Sequence, residues 1–150
     1  MQDFQLKGTT YAAAPHQPIM HTQTPTKTAL LSVRNIAVEF RTRTGTVKAL
    51  ENITFHINKG ETIGLVGESG SGKSVLALAI LRILDRAGHI PQGEVLWTQG
   101  NETYNLLTMP EKKLRQLRGK ELSMIFQPPR VALHPIRKVG NQLVAVLRCH

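Results

Sequence analysis

Gly67-Glu68-Ser69-Gly70-Ser71-Gly72-Lys73-Ser74 is the stretch on which the rest of this sequence turns. It matches G-x-x-x-x-G-K-[ST], a spacing suited to wrapping a chain of phosphates. Backbone N–H groups can close on phosphate oxygens only where no Cβ blocks the approach, and Gly67, Gly70 and Gly72 keep that approach open. The positive end of a following helix would face the α- and β-phosphates, while Lys73 would reach the β- and γ-phosphates as a point charge. Ser74 offers a hydroxyl to Mg²⁺.

The flanks agree with a phosphate loop rather than a Gly/Ser linker. Thr62-Ile63-Gly64-Leu65-Val66 is a short apolar run that reads as a buried parallel strand. From Val75 to Leu84 nearly every position is apolar, which predicts a helix buried under a sheet.

Working outward toward the N-terminus, alternation runs through Leu31 and Val33, slips at Asn35, and resumes at Ile36, Val38 and Phe40. That predicts a strand with a bulge. Gly45 marks a turn, and Val47, Ala49, Ile53, Phe55 and Ile57 predict a returning strand, so an antiparallel layer precedes the phosphate loop. Asn58-Lys59-Gly60 predicts a tight turn. Met1 to about Thr28 is rich in Thr, Gln, Pro and Ala with no period; it reads as a disordered tail over residues 1–29 and lacks the pattern of a secretory signal.

Toward the C-terminus, Gly88 and Pro91 are expected to stop the helical pattern. Glu94-Val95-Leu96-Trp97 reads as a strand that turns at Gln99-Gly100-Asn101 and returns through Tyr104 to Leu107. Trp97 is either a base-stacking platform or, more commonly, a half-buried strand aromatic. Thr108-Met109-Pro110-Glu111 predicts a capping box opening a short helix, with Leu114 and Leu117 on its apolar stripe and Gly119 at its end. Lys112, Lys113, Arg115 and Arg118 around that helix read as a solvated face. Leu122 to Phe126 is expected to be another buried strand ending at Gln127, and Val139, Leu143, Val146 and Leu147 to share one side of a last helix.

Composition narrows the classes further. The 150 residues are enough for a core, 41% are hydrophobic, and no apolar run approaches the roughly 18 residues that a membrane span needs. The net charge of +9 is spread along the chain without an arginine-rich tract or an aromatic-basic motif, which argues against nucleic acid as a partner. One cysteine, Cys149, rules out an internal disulfide framework, and the six histidines lack zinc-site spacing.

Taken together, the strand ending in Phe40, the Gly67–Ser74 loop and Met124-Ile125-Phe126-Gln127 resemble the N-terminal half of an ABC-transporter ATP-binding subunit. Val66-Gly67-Glu68-Ser69-Gly70-Ser71-Gly72-Lys73-Ser74-Val75 and Ala132-Leu133-His134-Pro135 are most similar to the dipeptide/oligopeptide (peptide/nickel) importer branch. The resemblance covers about Leu30 to Arg148. It implies an α/β P-loop NTPase fold, with a mostly parallel core sheet and an N-terminal antiparallel β layer. It also implies MgATP as cofactor, transporter membrane subunits and a second ATP-binding subunit as partners, and a peripheral position at the cytoplasmic face of the bacterial inner membrane.

Residue by residue, the resemblance makes Phe40 the aromatic that stacks on adenine. Gly67, Glu68, Ser69, Gly70, Ser71, Gly72, Lys73, Ser74 and Val75 become the nucleotide-binding loop. Gln127 matches a glutamine that serves Mg²⁺ and the attacking water, so Lys73 and Gln127 are the candidate catalytic residues and Ser74 and Gln127 the candidate metal ligands. The chain departs from the pattern at Pro128, where an acidic residue is usual, and at His134, where Asn or Asp is usual, which bears on coupling to the transporter. Neither a Leu-Ser-Gly-Gly-Gln signature nor a Walker B strand with its Asp and Glu is present in the 150 residues, nor is a switch His identified after Gln127. A truncated or binding-only module is therefore a serious alternative reading. Another P-loop GTPase or kinase is a remote one, since no guanine-reading Asn-Lys-x-Asp is present.

Overall fold

A computed structural model describes residues 29–127 and 133–149 of the chain. It divides into two compact units, with the boundary between Thr108 and Met109. The expected tail lies almost wholly outside the described residues, as do Pro128 and Ala132.

In the first unit β1 (Leu31–Thr42) and β2 (Gly45–Ile57) form the expected hairpin. They are followed by α1 (Lys73–Ile80), β3 (Gly88–Gln99) and β4 (Glu102–Asn105). The sheet order is β2-β1-β3-β4 and every pairing is antiparallel. Thr42 Oγ1 closes the hairpin turn by donating to Gly45 O at 2.7 Å. After β2, Gly60 at φ 78° and a bond from Glu61 N to Asn58 O of 3.0 Å make the predicted turn toward the phosphate loop.

The bulge falls where the alternation slips. Asn35 has φ 47°, a left-handed conformation that Asn tolerates. Its backbone N donates to Thr54 Oγ1 at 2.9 Å, and Thr54 Oγ1 donates to Asn35 Oδ1 at 3.0 Å. Across the ladder, Gly93 sits at φ 107°, where an added Cβ would stand 2.5 Å from Ile36 Cα. Two residue types thus build the bulge: one accepts the backbone conformation, and the other leaves room for its neighbour.

The phase of the alternation decides the core. Val33, Ile36, Val38 and Val95 are fully buried, joined by Leu50, Ile53 and Phe55. Helix α1 packs on β1 and β2 and contributes Leu76 and Ala79. Burying a side chain of the Val/Leu/Ile/Phe class contributes about 1.5–3 kcal/mol, so this seam anchors the helix that carries Lys73.

Two expectations for this unit need correction, and at Trp97 the structure selects the strand aromatic of the two alternatives. Helix α1 ends at Ile80 rather than Leu84, because Arg82 takes φ 52° and its guanidinium donates to Leu106 O at 3.0 Å. Strand β3 begins at Gly88 and passes through Pro91, which falls in the register shift between the Ala37–Gln92 and Glu39–His89 pairs. A proline is tolerated there because β4 pairs only with Leu96 to Gln99, leaving that side of β3 an edge. Trp97 is 6% exposed between Leu31 and Tyr104, so it is a core aromatic and offers no open face to a base.

The expected parallel core does not form among the described residues. Thr62–Val66 is irregular apart from one bridge residue at Val66, which is 66% exposed. A parallel strand satisfies its backbone groups only through neighbouring strands, and this segment lies outside the four-stranded sheet.

The second unit contains α2 (Glu111–Leu117) and α3 (Val139–Cys149). The capping box is absent: Pro110 is the cap residue, and Thr108 Oγ1 donates to Asn105 O at 3.4 Å. Leu114 is fully buried, and Gly119 follows the helix at φ 88°. Leu122–Phe126 forms no strand beyond an isolated parallel bridge between Arg118 and Leu122, and Ile125 is 88% exposed. Helix α3 forms as expected, with Val139, Leu143, Val146 and Leu147 exposed.

Candidate nucleotide-binding site

The loop between Val66 and α1 is shaped by two left-handed glycines. Gly70 lies at φ 85° with nothing within 4 Å of the place a Cβ would take. Gly72 lies at φ 87° as the residue capping α1, and there the surroundings are tight: a Cβ would meet Leu50 Cδ2 at 2.5 Å and Ala49 O at 3.1 Å. The loop is thus pressed against β2 at Gly72 and open at Gly70.

Lys73 turns back into the loop that precedes it. Its Nζ donates to Gly67 O and Glu68 O, both at 2.7 Å, and to Ser71 Oγ at 3.1 Å. Those three bonds match the three donors of an ammonium group. Ser71 is itself buried, and its N donates to Glu68 O at 3.2 Å, which tightens the turn around the cation. The first bond of α1 runs from Leu76 N to Gly72 O, so the amides of Lys73, Ser74 and Val75 have no acceptor within the helix. Glu68, Ser69 and Ser74 are exposed and Val75 is half-buried.

The remaining candidates belong to other segments of the chain. Phe40 is half-buried near the end of β1, paired with Val47 on one side and Gly88 on the other. Gln127 is solvent exposed and belongs to the second unit. The sequence reading missed Leu50 and Ala49 as the wall behind the loop, and Gly88 beside Phe40. Only a glycine at 88 was available as a signal, and it reads equally well as a helix stop.

A loop with two left-handed glycines, closed on a lysine at the head of a helix packed on a sheet, defines the P-loop class of nucleotide-binding proteins. Within that class, the family model described as ABC transporter matches residues 50–142, and the chain belongs to this family, whose members bind ATP. It is 44% identical over 124 residues to the oligopeptide transport ATP-binding protein OppD of Bacillus subtilis, covering 82% of this chain and 34% of that protein. It is 40% identical over 121 residues to the dipeptide transport ATP-binding protein DppD of Lactococcus lactis, covering 81% and 34%. With the OppD protein of Escherichia coli it shares 42% over 125 residues, covering 81% and 35%. The chain therefore spans about a third of the length of these relatives. Among the described residues, no helix is long and apolar enough to cross a membrane.

Proposed function

We propose that this chain is the nucleotide-gripping part of an ATPase that energises peptide import through ABC-type membrane subunits. The observation that carries the reading is Lys73, held inside its own loop by two carbonyls and Ser71. A phosphate oxygen entering there replaces a neutral acceptor with a charged one, a stronger partner for an ammonium. The amides of Lys73, Ser74 and Val75 add donors at the positive end of α1, and the open side of Gly70 leaves room for the phosphates. Gly67, Glu68, Ser69 and Ser71 supply the rest of the cradle, and Phe40 stacks on the adenine.

Ser74 and Gln127 are hard oxygen donors of the kind Mg²⁺ takes, and both are exposed and able to receive it. Held with ATP, such an ion would supply charge neutralisation on the phosphate oxygens. In the whole protein the reaction is phosphoryl transfer from ATP to water, which drives closure of two ATP-binding subunits on the cytoplasmic side of the membrane. Peptide is the proposed cargo because OppD and DppD are oligopeptide and dipeptide transport proteins. Within that assembly Thr62–Val66 becomes a strand of a parallel core, consistent with an apolar run that here includes the exposed Val66.

A second reading applies to these 150 residues by themselves: they bind nucleotide without turnover. The same exposed apolar segment favours it, together with the absence of a Walker B acid to orient a water. Titration with MgATP tests the first reading. Lys73→Ala is expected to weaken binding at least tenfold while the circular dichroism spectrum is unchanged; equal binding by both proteins overturns it. Hydrolysis that disappears in Lys73→Ala overturns the second.

A further inference from the structure

Gly88 stands opposite Phe40 in the ladder between β1 and β3. A Cβ at Gly88 would lie 2.9 Å from Phe40 Cε1, well inside the roughly 3.5–4.0 Å at which carbon atoms pack. The ring therefore rests against a position that only glycine leaves empty.

The backbone around Gly88 is held on several sides. Gly88 N donates to Asp85 O at 2.8 Å, and Arg41 N donates to Ala87 O at 2.9 Å. In the next pair of the ladder, His89 Nε2 and a Glu39 carboxylate oxygen meet at 3.3 Å. Gly88 is not among the residues at positive φ, so an added methyl brings no backbone strain of its own. Its other neighbours, Asp85 O and Leu84 Cβ, would stand at 3.3 Å, a milder contact that asks them to give by a few tenths of an ångström. Of everything near that methyl, the tip of the Phe40 side chain is the part free to move, so a larger residue at 88 displaces the ring and spares the strand.

We propose that Gly88 is a positioning residue for base recognition, setting the seat of the Phe40 ring and so the face that the ring presents to adenine. This rests on the reading of Phe40 as the stacking residue. The phosphate grip lies in a different segment, Gly67 to Ser74, so a displaced ring separates base affinity from phosphate affinity.

The test compares ATP with inorganic tripolyphosphate, which has no base, by calorimetric titration of the full chain. Removal of the ring in Phe40→Ala is expected to weaken ATP by about 5- to 150-fold, the range of base–aromatic stacking. Gly88→Ala is expected to weaken ATP by about fivefold or more, within that range, and to leave tripolyphosphate within about twofold. A parallel fall in both ligands overturns the proposal, because a general loosening of the fold acts on both. ATP affinity that falls in Phe40→Ala but not in Gly88→Ala overturns the role of Gly88 alone. Unchanged ATP affinity in Phe40→Ala overturns the stacking reading and this proposal with it. In a Phe40→Leu background the atom that meets the new methyl is gone, so adding Gly88→Ala is expected to leave ATP affinity where the leucine put it. A further drop there refutes action through the ring, and this comparison stands even where Gly88→Ala alone does not fold.

Discussion

Replacing Gly72 and Gly70 by alanine, one at a time, separates backbone conformation from crowding in the phosphate loop. Both residues are left-handed, at φ 87° and 85°, so each substitution carries the cost of a Cβ in that region, about 1–2 kcal/mol. Loss of unfolded-chain freedom returns about 0.4–1 kcal/mol in each case. Gly70→Ala meets nothing else, because its Cβ would enter open space. Gly72→Ala meets Leu50 Cδ2 at 2.5 Å and Ala49 O at 3.1 Å. Leu50 is 2% exposed and has little room to yield, so overpacking adds about 1–3 kcal/mol. The expected losses are about 0.5–1 kcal/mol for Gly70→Ala and about 1.5–4 kcal/mol for Gly72→Ala. Urea unfolding followed by circular dichroism reads both, and unchanged slopes would show that the surface exposed on unfolding is the same, so that the shift in midpoint reads stability alone. A Leu50→Ala background should cut the Gly72→Ala penalty by at least about 1 kcal/mol, since the two positions touch. If Gly72→Ala proves no more destabilising than Gly70→Ala, the loop does not bear on β2, and the wall assigned to Leu50 and Ala49 is wrong.

Other positions yield sharper or milder effects. Gly93→Ala places a Cβ 2.5 Å from Ile36 Cα and 2.8 Å from Asn35 O at φ 107°, all backbone, so a loss above about 3 kcal/mol is expected in thermal or chemical unfolding; a loss under 1 kcal/mol would sink the account of the bulge. Ile125→Lys removes a side chain that is 88% exposed, so stability should change by less than about 0.5 kcal/mol while self-association in sedimentation falls; a large destabilisation would show that Ile125 is packed. Lys48 is held above its ordinary pKa by the hydrogen bond it donates to Glu51 Oε1, at 2.7 Å, and by that residue's charge. Glu51→Gln should lower the Lys48 pKa toward its ordinary value in an NMR titration. Because the folded value lies above the unfolded one, any stability from the pair is complete below the unfolded pKa and disappears as pH rises past the folded one. An unmoved Lys48 titration would refute the assignment.

Much of the first unit was legible because its signals are local. The slip at Asn35 predicted the bulge, Gly45 the hairpin turn, and Asn58 to Gly60 the turn after β2, each written within a few residues. Helix α1 was predicted too long because a run of apolar residues does not reveal that Arg82 will turn left-handed and reach Leu106. Pro91 was read as a stop because the sequence does not say which side of β3 lacks a neighbour. Thr108 and Glu111 have the spacing of a capping box, yet the helix starts at Glu111 with Pro110 as its cap residue, which leaves Thr108 outside the capping position.

By itself, the sequence determined the Gly67–Ser74 motif and the antiparallel hairpin that precedes it. Glycine spacing and alternation are properties of neighbouring residues, and the chain carries them wherever it folds. Only the tertiary structure decided that Gly72 is wedged against Leu50, that Lys73 is held by Gly67, Glu68 and Ser71, and that Phe40 lies against Gly88. It also decided that Thr62–Val66 stays out of the sheet, since a strand is completed by its neighbours' hydrogen bonds and not by its own composition.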